Sequence, residues 1–481
     1  MDEKKKNRKN LLIIMPDQLR ADYLGCYGHP NIGTKYIDKL SREGIRFENC
    51  YCAAPLCGPS RISFVTSIYF SEHNHRDYGA EISPDIPNLV TSLKKMGYHT
   101  GMFGKNHMFE YGRLEEVWDE LDEICLGNCD NHPQYKYAFS SFTMEQDHPY
   151  HITKRLTDET IQFIRQSEEP FLAWVNYQDP HPAFACPHPY DTLFSPEEIT
   201  LSKSYHQYDK EREPLRNEVW RRHSKMELCT DMDMKRAMAH YMGQIRYVDD
   251  MVGQLMEALD HTGKKQDTII LFLSDHGELL GDHGMTHKLP VFYESLTRIP
   301  VIVYTPNANW NGQIFKGLVE EVDLTPTLLD LLNIHIPITM VGKSVLPQLL
   351  SGEYKGRKNI ICEAGIAAPV WKRADETIKL RAPHEPTSYG CGAMIREGNW
   401  KLSVYVDDRA EFYNLDKDPQ EQCNLFDCKE FREKREELMM KLLQRIMGVK
   451  IRDRGENEKW DYEEYPYDVR RMPLELMKKE R

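Results

Sequence analysis

Long apolar stretches are missing from this 481-residue chain. Runs such as Leu11–Met15 and Ile269–Leu273 are five residues long, against the roughly 20 that a membrane-spanning helix needs. The opening MDEKKKNRKNLLIIMPDQ offers only that first run before Pro16 and Asp17 intervene, where a secretory leader needs about 7–15 apolar residues. It reads as a solvated basic end, Lys4–Lys9, leading into a buried strand, and a cytoplasmic location is expected. Cysteine is sparse, with 12 residues, and spacings such as Cys50-Tyr51-Cys52 and Cys125 to Cys129 form no paired CxxC zinc pattern. A disulfide framework is not expected in a large reduced protein; most of the cysteines read as small buried hydrophobes. Glycine and proline, 28 and 27 residues, are too few and scattered for a fibrous chain. Positive charge is also short: 62 Lys and Arg against 75 Asp and Glu leave a net charge of −13. That excludes bulk attraction to nucleic acid or an anionic membrane, though not a small basic pocket.

Core material is ample, with 26 Tyr, 17 Phe and 7 Trp in a chain that is 40% apolar. The first three quarters alternate short apolar runs with helical patterns. Leu11–Met15, Thr100–Phe103, Phe171–Tyr177, Thr268–Leu273 and Pro300–Tyr304 read as strands buried on both faces. Met238, Tyr241, Met242, Ile245, Val248, Val252, Leu255 and Leu259 recur every three or four residues, and the helix they predict stops near Gly263. Strands alternating with helices predict an α/β fold: a large, mostly parallel sheet sandwiched by helices. From about residue 360 the pattern changes. Ala393–Ile395, Trp400–Tyr405 and Glu411–Leu415 read as short antiparallel strands with turns at Glu397-Gly398-Asn399 and Asp418-Pro419. A helix, Lys429–Met447, follows. Residues 1–358 are therefore expected to form the catalytic α/β part, and 359–481 a smaller C-terminal α+β subdomain and tail. Trp460, Tyr462, Tyr465 and Tyr467 suggest that the tail packs on something. The polar stretch 200–236 reads as a surface excursion or lid.

Open parallel sheets place ligands at the carboxyl ends of their strands. Asp17 and Gln18, Lys105 and His107, Asp179 and His181, and Asp275 and His276 follow four of the apolar runs. Four such ends suggest one converging site. Cys57-Gly58-Pro59-Ser60-Arg61 adds a thiol at the start of a helix-compatible run, Ile62–Ile68, with Pro59 suited to the first helical position. A helix N-terminus favours an anion and lowers a thiol pKa, and Arg61 adds a fixed positive fork.

Cys57-Gly58-Pro59-Ser60-Arg61 resembles the CxPSR signature of the type I sulfatases, within the alkaline-phosphatase-like superfamily. Further matches fall in that family's order. Asp17-Gln18 with the following LRADYLGCYG resembles the first metal motif, and Gly104-Lys105-Asn106-His107 the G-K-x-H motif. Asp179-Pro180-His181-Pro182 and Ser274-Asp275-His276-Gly277-Glu278 resemble the P-H and second metal motifs. Lys288 sits where the family keeps a lysine. Asn399-Trp400-Lys401-Leu402 and Tyr413-Asn414-Leu415 resemble its closing subdomain, so the likeness spans roughly residues 10–426.

The resemblance implies that Cys57 is oxidised to formylglycine by a formylglycine-generating or anaerobic sulfatase-maturing enzyme. One hydroxyl of its hydrate would attack the sulfur of a small anionic sulfate ester, and the other would expel sulfate. It implies one divalent metal held by Asp17, Gln18, Cys57, Asp275 and His276. Arg61, Lys105 and Lys288 would stabilise charge, His107 would serve the hydrate, and His181 would act as acid for the leaving oxygen. His283 and His287 read as supporting or structural. Many family members have a second Asp in place of Gln18 and Asn in place of His276. Oxygen ligands favour Ca2+, with Mg2+ or Mn2+ as alternatives. The expected substrate is a sulfated carbohydrate from glycosaminoglycan breakdown, such as a 2-O-sulfated uronic acid saccharide. Its pocket is expected to draw on 180–225 and 360–390, including Arg373, Arg381 and His384. Alternative readings are a phosphonate monoester or phosphodiester hydrolase, a choline or aryl sulfatase, and a non-catalytic binding homologue.

Overall fold

The computed structural model describes residues 8–76, 81–124, 132–144, 152–168, 170–365, 391–406 and 408–450. Arg373, Arg381 and His384, and the aromatics of the tail, lie outside the described residues. Eight strands form the central sheet: β1 (Asn10–Pro16), β2 (Ile45–Tyr51), β3 (His99–Gly104), β4 (Glu120–Glu123), β6 (Phe171–Tyr177), β8 (Thr268–Leu273), β9 (Arg298–Tyr304) and β10 (Ile314–Glu320). Their order is β10-β2-β9-β8-β1-β6-β3-β4. A separate pair joins β5 (Ser141–Thr143) to β7 (Phe184–Cys186).

Continuous apolar runs make central strands because both faces are covered. Leu11, Ile13 and Met15 of β1 enter one core with Leu172, Trp174, Ile269 and Leu271. Leu12 and Ile14 enter the other with Ala173, Val175, Ile270 and Phe272. The helix Asp231–His261 covers that second face with the apolar positions expected of it, and begins at a capping box between Thr230 and Asp233. Among the described residues, no helix is long and apolar enough to cross a membrane.

Every neighbouring pair in the sheet is parallel except the two made by β9 with β8 and β2. β9 therefore leaves the edge at which β8 arrives, and the loop between them stays on that edge. The sequence pattern missed β2 and β10, whose apolar positions are interrupted by Arg46, Glu48 and Asn49 and by Lys316 and Gly317. β10 is the edge strand and β2 its inner neighbour, and register shifts in the pairings of β2 with β10 and β9 break the alternation.

The C-terminal sheet is antiparallel in the order β11 (Asn359–Ala364), β12 (Gly392–Glu397), β13 (Trp400–Tyr405), β14 (Glu411–Asn414). The helix Arg432–Lys450 lays Leu438 and Leu442 on Ile361, Ile395, Leu402 and Phe412. Ala53, Tyr69, Val322 and Val341 join the same core, so the small sheet is packed onto the large one.

Candidate active site

The carboxyl ends of β1, β3, β6 and β8 meet where β2 hands the chain to the helix Cys57–Thr66. That helix is wholly buried and fixed to the sheet by Phe64, whose ring stands edge-on to Trp174 at 5.4 Å. Its first residue is Cys57, so Pro59 is third rather than first. Proline is still tolerated there, because the N–H groups of a first turn have no partner inside the helix. The first helical hydrogen bond runs from Ser60 N to Leu56 O at 3.0 Å.

The thiol of Cys57 is the centre of the cluster. Its Sγ lies 3.2 Å from His276 Nε2, 3.6 Å from Asp17 Oδ1 and 3.7 Å from Lys105 Nζ. Burial and the Asp17 charge push this thiol up, but Lys105, Lys288 and His276 outweigh them and hold it well below its ordinary value. Lys105 donates to Asp17 Oδ2 at 2.5 Å. It is aimed there by Gly104, whose φ of +117° brings the backbone so close to Asn176 O that a Cβ would stand 2.0 Å away. Arg61 donates through Nε to Asp275 Oδ2 at 2.8 Å and through Nη1 to Asn176 Oδ1 at 3.0 Å, with Nη2 at 3.5 Å from Asp17. Asp275 Oδ1 accepts the N–H groups of Gln18 and His276, each at 3.0 Å.

Ser60 reinforces this corner from behind. Its Oγ lies 2.6 Å from Asp275 O and 2.8 Å from Glu321 Oε1. Burial raises Glu321 well above the usual carboxylate range. The Ser60 hydroxyl thus lies between the Glu321 carboxyl and the Asp275 carbonyl, with both as acceptors within its reach. Neither Glu321 nor Asn176 stands out in the sequence, and only their contacts reveal them.

Four imidazoles behave differently. Nδ1 of His276 meets Gly277 O at 2.8 Å, which fixes the tautomer and turns Nε2 to the cluster. Burial lowers His276, but Asp275 and Cys57 prevail and its pKa is raised. His107, at φ +45°, interacts with the Cys57 side chain, and its Nδ1 has no hydrogen-bond partner among the described residues. His181 directs Nδ1 at Pro182 O and is held well below its ordinary value by burial and Lys288. His287 stands with its ring centroid 6.2 Å from that of His181, and Tyr135 Oη is 3.2 Å from its Nε2. His283 is not in the cluster; it stacks on Tyr293 at 3.7 Å. Asp179 also turns away, accepting from Thr153 Oγ1 at 2.6 Å and Gln244 Nε2 at 2.9 Å.

Lys288 reaches the site because the β8–β9 loop stays on this edge. Its Nζ lies 2.6 Å from Gln18 Oε1 and 4.0 Å from Asp17 Oδ1. The stretch 200–236, expected as a surface excursion, also contacts this loop. From the helix Leu215–His223, Arg216 donates to Pro290 O, Trp220 to Thr286 O and Arg221 to His283 O, each at 2.9 Å. Trp220→Phe removes one of these bonds and keeps the ring. It is expected to lower kcat/KM roughly 2–10-fold, the worth of one ordinary hydrogen bond, while the melting temperature stays within a few degrees. Unchanged steady-state kinetics would show that these contacts do not govern Lys288.

The donor set suits a divalent cation. One ligand atom from each of Asp17, Cys57, Asp275 and His276 lies within 4.8 Å of all the others. With metal–oxygen bonds of about 2.3–2.6 Å, opposite donors around one ion fall near that separation. Two carboxylates and an oriented imidazole supply the negative charge and lone pairs such an ion needs.

Known proteins resemble this chain in sequence and in fold. The arylsulfatase of Clostridium perfringens (strain 13 / Type A) is 26% identical over 486 residues, covering 92% of this chain and 95% of that protein. The fold is shared with the phosphonate monoester hydrolase of Agrobacterium radiobacter, at a TM-score of 0.77 and 21% identity over 92% of this chain and 96% of that one. It is also shared with a 2-O GAG sulfatase, at a TM-score of 0.73 and 22% identity over 92% and 93%. The family model described as Sulfatase matches residues 9–334, more than half of the sequence, and the chain belongs to the sulfatase family.

Proposed function

We propose that this protein, a sulfuric ester hydrolase by family, removes sulfate from small sulfated carbohydrates, with a glycosaminoglycan-derived 2-O-sulfated uronic acid saccharide as the preferred class. The observation that carries this reading is the buried meeting of Cys57 with Asp17, Lys105 and His276. The likeness to a 2-O GAG sulfatase supports the substrate class. A compact anion enters a corner where Arg61, Lys105 and Lys288 neutralise its nonbridging oxygens. Asp17, Gln18, Asp275, His276 and residue 57 would hold one divalent cation, with Ca2+ suited to the oxygen donors. Formylglycine at position 57 and that cation would together supply a hydrated-aldehyde nucleophile and Lewis-acid polarisation of the ester. His107, beside residue 57, takes the proton released there. His181 is neutral in the free protein; an arriving sulfate brings the negative charge that favours its protonated form, so that it and Lys288 can serve the leaving oxygen.

In this reading residues 1–358 form the catalytic part and 359–481 the smaller subdomain. The protein works in the cytoplasm on imported saccharides, after a maturing enzyme has acted on Cys57. A second reading, phosphonate monoester hydrolysis, draws on the Agrobacterium radiobacter likeness and on Gln18 and His276. The Lys105 and His107 pair favours sulfate, because the phosphonate hydrolases carry hydroxyl residues there. Rates on an aryl sulfate, an aryl phosphonate monoester, choline sulfate and a panel of sulfated disaccharides decide between them. Desulfation of 2-O-sulfated disaccharides is expected to be fastest, and to stop on chelation. Faster cleavage of the phosphonate would overturn the sulfatase assignment; preference for choline sulfate would overturn the carbohydrate one.

A further inference from the structure

The amide of Gln18 stands where a carboxylate would present two equivalent oxygens. An amide has a right end and a wrong end: its oxygen can face a cation, whereas its NH2 cannot. Gln18 is fully buried at a φ of +67°, so its backbone is committed before its side chain is placed. Its Nε2 donates to Oε2 of Glu278, and its Oε1 accepts from Lys288 Nζ at 2.6 Å. An ammonium only donates, and the Glu278 carboxyl already accepts two backbone N–H groups, which with the Gln18 amide oppose the upward push of burial on it, so the two neighbours favour the same orientation from opposite ends.

Glu278 is itself fixed on all sides. Its Oε1 accepts Leu280 N at 2.9 Å, Thr286 Oγ1 at 3.1 Å and the N–H of His287. It thus ties the strand-end segment that carries Asp275 and His276 to the segment that carries Lys288. Gly277 makes this possible: a Cβ there would stand 1.8 Å from Ser295 O.

We propose that Glu278 is a positioning residue that keeps the NH2 of the Gln18 amide turned to itself and the oxygen on the Lys288 side, next to Asp17, so that a neutral side chain can serve in a cation site. The inference rests on the cation reading above. Its consequence is a specific dependence: Glu278 matters for cation binding only while residue 18 is an amide. Asp at position 18 has no wrong end and needs no such partner.

Calorimetric titration of Ca2+ into the metal-stripped full-length protein reads this without catalysis. Glu278→Gln is expected to weaken Ca2+ binding about 10–100-fold, the usual cost of losing a group that orients a ligand. In a Gln18→Asp background the same change is expected to cost less than about 3-fold, a coupling visible in the double-mutant cycle. Equal losses in both backgrounds would reduce Glu278 to a structural role, and no loss in either would remove it altogether; both overturn the assignment. Should Glu278→Gln fail to fold, Glu278→Asp, which keeps the charge and withdraws the carboxylate by one methylene, carries the same pair of measurements. Wild-type protein that takes up neither Ca2+ nor Mg2+ would sink the cation reading and this assignment together, and so differs from a wild-type binder that ignores the Glu278 change.

Discussion

Cys57→Ser should fold and melt like the wild type yet lose at least about 10^4-fold in kcat/KM on any sulfate ester, as expected when the nucleophile of a covalent mechanism is replaced. The substitution exchanges sulfur for oxygen at a fully buried position and leaves Asp17, Asp275, His276, Arg61 and Lys105 in place. The loss is therefore chemical rather than structural: a plain hydroxyl offers no second hydroxyl with which to discharge sulfate. Mass spectrometry of protein from its native host supplies the companion result. The peptide holding residue 57 should be lighter by the difference between a thiol-bearing CH2 and an aldehyde. Turnover at full rate by protein whose peptide still carries the thiol would end the formylglycine account.

Asp275→Asn should be nearly as damaging by a different route. The carboxylate of Asp275 meets Arg61 Nε at 2.8 Å and accepts two backbone N–H groups at 3.0 Å. An amide of the same shape must turn an NH2 toward one of these donors. Cation affinity is expected to fall by at least about 100-fold and kcat/KM by about 10^3-fold. The metal-free protein should lose about 3–5 kcal/mol in denaturant, because Arg61, 0% exposed, then loses its nearest counter-charge among the described residues and keeps the more distant Asp17 at 3.5 Å. Excess Ca2+ should not restore the rate. A variant that binds Ca2+ like the wild type would place the cation elsewhere.

The two results would separate two jobs that share one corner. On the proposed function, residue 57 supplies reactivity, while Asp275 organises charge around it. Arg61 and Lys105 satisfy the carboxylates in the free protein, and the same cations are available to the nonbridging oxygens of an ester. Arg61, Lys105 and Lys288 place three buried cations in one corner, which suits an anionic substrate in a protein whose net charge is −13.

Much of the architecture is legible along the chain. β1, β6 and β8 are continuous apolar runs because they are central and covered on both faces. The long helix shows its apolar stripe because it faces solvent on the other side. The strand-end rule locates Asp17, Lys105, His181 and Asp275 at one edge, since parallel strands all deliver their carboxyl ends there. Local periodicity says nothing of β2, next to the edge strand β10 and interrupted by charge, although β2 is what carries Cys57 to the site. Nor does it reveal that β9 runs back against its neighbours, which is why Lys288, before the strand rather than after it, stands at the site. Glu321 and Asn176 are ordinary residues until long-range contacts set them against Ser60 and Arg61, and Glu278, read only as part of a motif, gains its partner Gln18 in the same way. Residue types and their order thus set the chemistry and the strand ends. Charge pairing across more than 100 residues depends on how the sheet is wound, because a buried ion finds its partner in space and leaves no period in the chain.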